Sequence, residues 1–144
     1  MVLLGICDAQ YCSSYVDVGE YGINNDSGVL KNWRMGRKCG ANKMNIPSPA
    51  KIPESDDLEL TYFLLGDEIF PLSNWLMRPY SGKALTSETR KIINYRLSRA
   101  RRVIEKTFSI LVARWRVLQK PIDAKPERVE KIILAAIALH NYLR

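Results

Sequence analysis

The sequence predicts an α/β fold of about three strands and three or four helices in one domain, residues 1–144. Three observations predict it. Two short runs rich in β-branched and apolar residues open the chain. A third run, Leu60 to Leu65, is nearly continuously apolar, the pattern of a strand covered on both faces, and it stops at Gly66-Asp67. A stretch from about Thr86 to Lys120 then carries apolar residues at Ile93, Leu97, Ala100, Ile104, Phe108, Leu111, Trp115 and Leu118. Their steps of 4, 3, 4, 4, 3, 4 and 3 hold one stripe on one side of a helix.

Taken in order, Val2 to Asp8 and Tyr11 to Val18 form the first two strands, with Ala9-Gln10 as their link. Gly19 to Gly28 reads as a loop, with Gly22 and Asn24-Asn25 as turn formers. Asp26 or Ser27 caps a short helix that runs to Trp33 or Met35. Lys31, Arg34, Arg37 and Lys38 make a small basic cluster. Residues 40–57, with Pro47, Pro49 and Pro53, read as a surface loop. Beyond the third strand, Phe70 to Met77 is expected as a short helix between Pro71 and Pro79. Thr86 or Ser87 caps the long helix, Glu88 suits its positive end, and Lys120-Pro121 marks its stop. A last helix begins at Pro126, where a first-turn proline is tolerated. Its apolar face is Val129, Ile132, Ile133, Ala136, Ile137, His140 and Leu143.

The polar side of the long helix holds most of the chain's excess charge. Between Thr89 and Lys120 stand ten Lys or Arg and one acid, Glu105. A net charge of +7 favours a polyanionic partner, either nucleic acid or an anionic membrane surface, although charge alone also serves solubility. No apolar run reaches membrane-spanning length, and residues 2–6 are too short for the core of a signal peptide. Cys7, Cys12 and Cys39 show neither a paired framework nor a zinc spacing. Such a sparse odd set suits a reducing compartment, with Cys7 and Cys12 as ordinary strand residues.

Each candidate site residue has a plain reading beside a functional one. Asp67 either caps a turn or stands just past a buried strand's C-terminal end, where open α/β sheets place ligand chemistry. Glu105 either pairs with Arg101 or Arg102 within its helix or holds a metal ion on a phosphate-binding surface. His140, the single histidine, reads as a hydrogen-bonded core residue, and Trp115 as core packing.

Four motifs occur in series: Leu64-Leu65-Gly66-Asp67; Trp75-Leu76-Met77-Arg78-Pro79-Tyr80; Arg102-Val103-Ile104-Glu105-Lys106-Thr107-Phe108; and Leu139-His140-Asn141. In order and separation they resemble the nuclease domain of the PIF/Harbinger transposases and their domesticated relatives, DDE-superfamily enzymes with an RNase H-like fold. Ile6-Cys7-Asp8 and the segment from Gly22 through Asp26-Ser27 resemble that family's second-strand and glycine-loop segments.

The resemblance implies that Asp67 matches the second catalytic Asp and Glu105 the third acid, 38 positions later. It implies Mg²⁺ or Mn²⁺ as cofactor, with Asp67 the bridging or first-ion ligand and Glu105 the ligand of the other ion. Two such ions about 3.5–4 Å apart serve in-line phosphodiester cleavage, and hard ions take oxygen ligands. DNA is the implied substrate, its backbone met by Arg99, Arg101, Arg102, Lys106, Arg114 and Arg116. A separate DNA-binding partner protein and a nuclear location, with the cytoplasm as alternative, complete the expectation, and no membrane is involved. The family's first catalytic Asp lies on a strand before the segment that opens this chain, and Asp8 matches a different position. The resemblance therefore implies an N-terminally truncated, incomplete domain with two of three acids and slight cleavage by this chain alone. The rival expectation is a non-catalytic DNA- or protein-binding module that uses the basic helix 89–120. A third is a basic helical scaffold with no nucleic-acid role.

Overall fold

The computed structural model describes residues 2–19, 36–38, 46–52 and 58–144. They form a mixed α and β structure in two compact units. The first joins Met1–Ile23 to Arg99–Arg144, and the second is Asn24–Ser98.

In the first unit, β1 (Val2–Cys7) pairs antiparallel with β2 (Ser13–Gly19), in register from Val2↔Gly19 to Ile6↔Tyr15 and, after a bulge, Cys7↔Ser13. The hairpin meets the expected strands, but its link is longer than Ala9-Gln10. Asp8 Oδ1 accepts the N–H groups of Gln10 and Cys12, both at 2.9 Å, and Tyr11 sits at φ 64°. That left-handed backbone is uncommon for a residue with a Cβ, so it needs support. The end of the last helix, α2 (Pro126–Tyr142), supplies it. The ring of His140 is fully buried and donates through Nε2 to the Tyr11 carbonyl at 2.9 Å. The Arg144 guanidinium lies 4.9 Å from the Tyr11 ring centroid, and its Nε donates to the Gln10 carbonyl. Asn141 holds the Ser13 backbone at both ends: its Oδ1 accepts the Ser13 N–H at 2.9 Å and its Nδ2 donates to the Ser13 carbonyl at 2.8 Å. His140 is thus the hydrogen-bonded core residue expected. Asn141→Ala would strand both Ser13 groups in a half-buried place. It is expected to lower stability by about 1–3 kcal/mol in denaturant unfolding and to speed exchange of the Ser13 amide.

The core of this unit is Leu111, Ala136 and Ile137, with Leu3, Val16, Phe108, Trp115, Leu118 and Ile133 packed against it. β1 crosses the long helix closely: a Cβ built on Gly5 would stand 3.2 Å from Phe108 Cζ. The glycine lets the strand approach that ring.

The long helix, α1 (Glu88–Arg114), is shorter than its apolar stripe suggests. Ser87, not Thr86, caps it, its Oγ accepting the Arg90 N–H at 3.3 Å. At the other end Trp115 turns extended, φ −105° and ψ 92°, and Arg116–Gln119 form a 3₁₀ turn. Gln119 Nε2 reaches back to the Val112 carbonyl at 3.1 Å, occupying an acceptor that the helix end leaves open. Trp115 and Leu118 still reach the core, so the stripe continues in space although the helix does not.

The second unit departs further from expectation. β3 (Ala50–Lys51) pairs antiparallel with β4 (Glu59–Leu60), within what reads as loop and strand in the sequence. Only β5 (Leu64–Leu65) remains of the expected buried strand, and it pairs in parallel with β6 (Leu76–Met77). Leu60, Tyr62, Phe63 and Leu65 are exposed. Burial on both faces needs layers packed above and below the ladder, and these four side chains are not so covered. The helix expected over Phe70 to Met77 does not form. The Trp75 and Met77 carbonyls accept from the Leu64 and Gly66 N–H groups at 2.8 and 2.9 Å, and Leu76 is buried at 3% exposure. The sheet bonds take the backbone groups that a helix would have used.

Residues 36–38 are helical, but the expected helix from Asp26 or Ser27 to Met35 lies outside the described residues, as do Cys39 and the acidic end of the 40–57 loop. Cys7 and Cys12 are free thiols. Among the described residues, no helix is long and apolar enough to cross a membrane.

Candidate functional site

Asp67 follows β5 directly, and the local structure shows why Gly66 precedes it. Gly66 continues the parallel ladder and is buried. A Cβ there would meet Phe70 Cδ2 at 2.9 Å and Leu76 Cδ1 at 3.1 Å. A side chain there would force Phe70 and Leu76 to shift, so glycine suits the point where the chain leaves the ladder. Asp67 is half-buried, its Oδ1 accepts the Glu68 N–H at 2.6 Å, and its carbonyl accepts the Phe70 N–H at 3.1 Å. The turn-forming reading is therefore realised.

The loop after Asp67 is held from β6. Arg78 Nη1 donates to the Glu68 carbonyl at 2.9 Å and to the Phe70 carbonyl at 3.1 Å. Two residues on, Asn94 of α1 clasps the Tyr80 backbone, with Oδ1 accepting its N–H at 2.8 Å and Nδ2 donating to its carbonyl at 2.9 Å. Arg90 stacks over the Tyr80 ring at 5.2 Å and donates to the Ala84 carbonyl. Sequence reasoning gave Arg78 and Asn94 no role. No spacing announces a side chain that binds backbone carbonyls.

Glu105 lies in the other unit, on α1. It is exposed, and its carboxylate makes no ion pair with Arg101 or Arg102. The helix around it is well satisfied: Thr107, almost fully buried, donates to the Val103 carbonyl, and Ser109 to that of Glu105 itself. Among the described residues the Glu105 carboxylate has no ion pair.

The basic residues do not form a single patch. Arg99, Arg102 and Lys106 are exposed and spaced three and four apart, so they share one stripe, away from the buried Leu97, Thr107 and Leu111. Arg101 is half-buried. Arg114 ends the helix, where a cation suits the dipole, and Arg116 lies beyond the break and outside that register. Among the described residues, no group of three or more His, Cys, Asp or Glu side chains could hold a metal ion. The donor chemistry of Asp67 and Glu105 separately, hard carboxylate oxygens, does suit Mg²⁺ or Mn²⁺.

A family model described as "DDE superfamily endonuclease" matches residues 1–141. "Protein ALP1-like" of Arabidopsis thaliana is 33% identical over 145 residues, covering 99% of this chain and 35% of that protein. "Putative nuclease HARBI1" of Bos taurus, and that of Homo sapiens, is 40% identical over 82 residues, covering 55% of this chain and 23% of the relative. The chain thus spans about a third of the length of the first relative. No solved structure matches it. A match that takes in nearly every residue, and with them the Gly66-Asp67 turn and the Glu105 helix, shows that this chain belongs to the DDE superfamily endonucleases.

Proposed function

We propose that this chain is part of a Harbinger-derived DDE nuclease whose Asp67 and Glu105 hold divalent metal for phosphodiester hydrolysis of DNA. The observation that carries the reading is the DDE superfamily endonuclease match over residues 1–141, a span that includes both Asp67 and Glu105. Asp67, at the end of a parallel strand and beside the buried Gly66, supplies the second acid in the family's order. Mg²⁺ or Mn²⁺, when bound, activates water and offsets charge on the phosphate oxygens. Asp67 and Glu105 ligate, and the Arg99, Arg102 and Lys106 stripe neutralises the DNA backbone. The fold is read as RNase H-like, and a nuclear location and a separate DNA-binding partner protein belong to the same proposal.

With Asp67 and Glu105 as its two metal-holding carboxylates, the chain by itself is expected to hold metal weakly and to nick DNA only slightly. The test is a Mn²⁺ titration followed by electron paramagnetic resonance, with nicking of supercoiled DNA in parallel. Asp67→Asn and Glu105→Gln should each weaken Mn²⁺ binding and remove any nicking. Binding and nicking indifferent to both substitutions would remove the assignment.

The exposed basic stripe also favours a second reading, a non-catalytic DNA-binding module. It predicts DNA affinity that survives loss of both acids.

A further inference from the structure

The loop that carries Asp67 leaves the ladder beyond Gly66. Its internal ties include the Asp67 bonds to the N–H groups of Glu68 and Phe70. Glu68 and Ile69 are exposed, so burial holds the loop only at its half-buried Asp67 and Phe70. A tie from outside the loop comes from Arg78, one residue past β6, whose Nη1 donates to the carbonyls of Glu68 and Phe70. These carbonyls flank Ile69, so one planar nitrogen with two divergent N–H groups closes the turn. Hydrogen bonds from a charged donor are the stronger kind, and a guanidinium keeps its charge at any working pH. β6 is itself bonded to β5, so Arg78 reaches the loop from a strand in register with the one that ends at Asp67.

We propose that Arg78 is a positioning residue for Asp67: it fixes the loop through two backbone carbonyls and so holds the carboxylate in the direction metal binding requires. This rests on the reading of Asp67 as a metal-holding acid, and it adds the residue that orients that acid. Groups that orient a metal ligand without touching the metal typically change affinity by about 10–100-fold when removed.

The experiment compares the parent chain with Arg78→Met, Arg78→Lys and Asp67→Asn. Amide hydrogen exchange is followed by NMR, and Mn²⁺ affinity is measured by titration. Arg78→Met should speed exchange of the Gly66 and Phe70 amides, leave α2 protected, and weaken Mn²⁺ binding about 10–100-fold. Arg78→Lys keeps the charge without the planar fork and should fall between. Unchanged exchange at Gly66 and Phe70 in Arg78→Met overturns the proposal. So does faster exchange there with Mn²⁺ affinity held within about twofold of the parent. If Arg78→Met also loosens α2, the Lys variant decides. A protected α2 with partial loss at Gly66, Phe70 and in Mn²⁺ affinity supports the proposal, and any other pattern overturns it. If Asp67→Asn leaves Mn²⁺ affinity unchanged, the metal reading of Asp67 fails, and the positioning role falls with it.

Discussion

Leu111→Ala is expected to lower the unfolding free energy by about 2–5 kcal/mol, the range for deleting a large aliphatic side chain from a core that cannot collapse around the gap. Leu111 is 3% exposed and lies where α1 meets Ala136 and Ile137 of α2, with Leu3 and Val16 of the hairpin packed against the same cluster. The apolar core of this unit is short, so the loss is a large share of what holds it. Val112→Ala on the same helix is the control. Val112 is 38% exposed, and alanine is the better helix former, so its effect should stay within about 0.5 kcal/mol. Denaturant unfolding of both variants, followed by circular dichroism, checks the pair. Equal destabilisation would mean that the α1–α2 core does not carry the unit.

Replacing Arg99, Arg102 and Lys106 together by alanine is expected to reduce the salt dependence of DNA binding by about three in slope, one for each phosphate left without its cation, and to weaken binding alike for every sequence. The three share an exposed stripe of α1, which is why they are grouped in place of Arg101, half-buried, or Arg116, beyond the helix break. Fluorescence anisotropy over a salt series gives the slope. An unchanged slope would show that the stripe meets no phosphate. No binding to DNA even at low salt would leave a basic scaffold as the better account. Binding that survives Asp67→Asn and Glu105→Gln but not the triple change would favour the non-catalytic module.

Parts of the fold were legible in the chain because they depend on local pattern. The helix period around Ile104, Phe108 and Leu111, the capping serine at Ser87 and the proline opening α2 each act over a few residues. The two opening strands were legible for the same reason. Asp67 and Glu105 stood out as acids in unusual company, one after a glycine and one among arginines. The failures are also instructive. Leu60 to Leu65 has the composition of a buried strand, yet burial depends on which elements lie alongside, and much of that run faces solvent. Phe70 to Met77 has helix-compatible residues, but β5 competes for its backbone bonds and wins.

The sequence by itself determined the class of most elements, the basic face of the long helix and the family the chain belongs to. These rest on residue type, on period and on the order of short motifs, all of which one chain displays. Only the tertiary structure decided how the pieces are held: Arg78 closing the loop after Asp67, Asn94 on Tyr80, and His140 with Asn141 on a hairpin turn more than a hundred residues away. In each case a polar side chain binds backbone groups eight or more residues away, beyond the reach of any helical or strand repeat. Backbone groups are the same at every residue, so no sequence pattern marks the partner, and only the folded chain selects it.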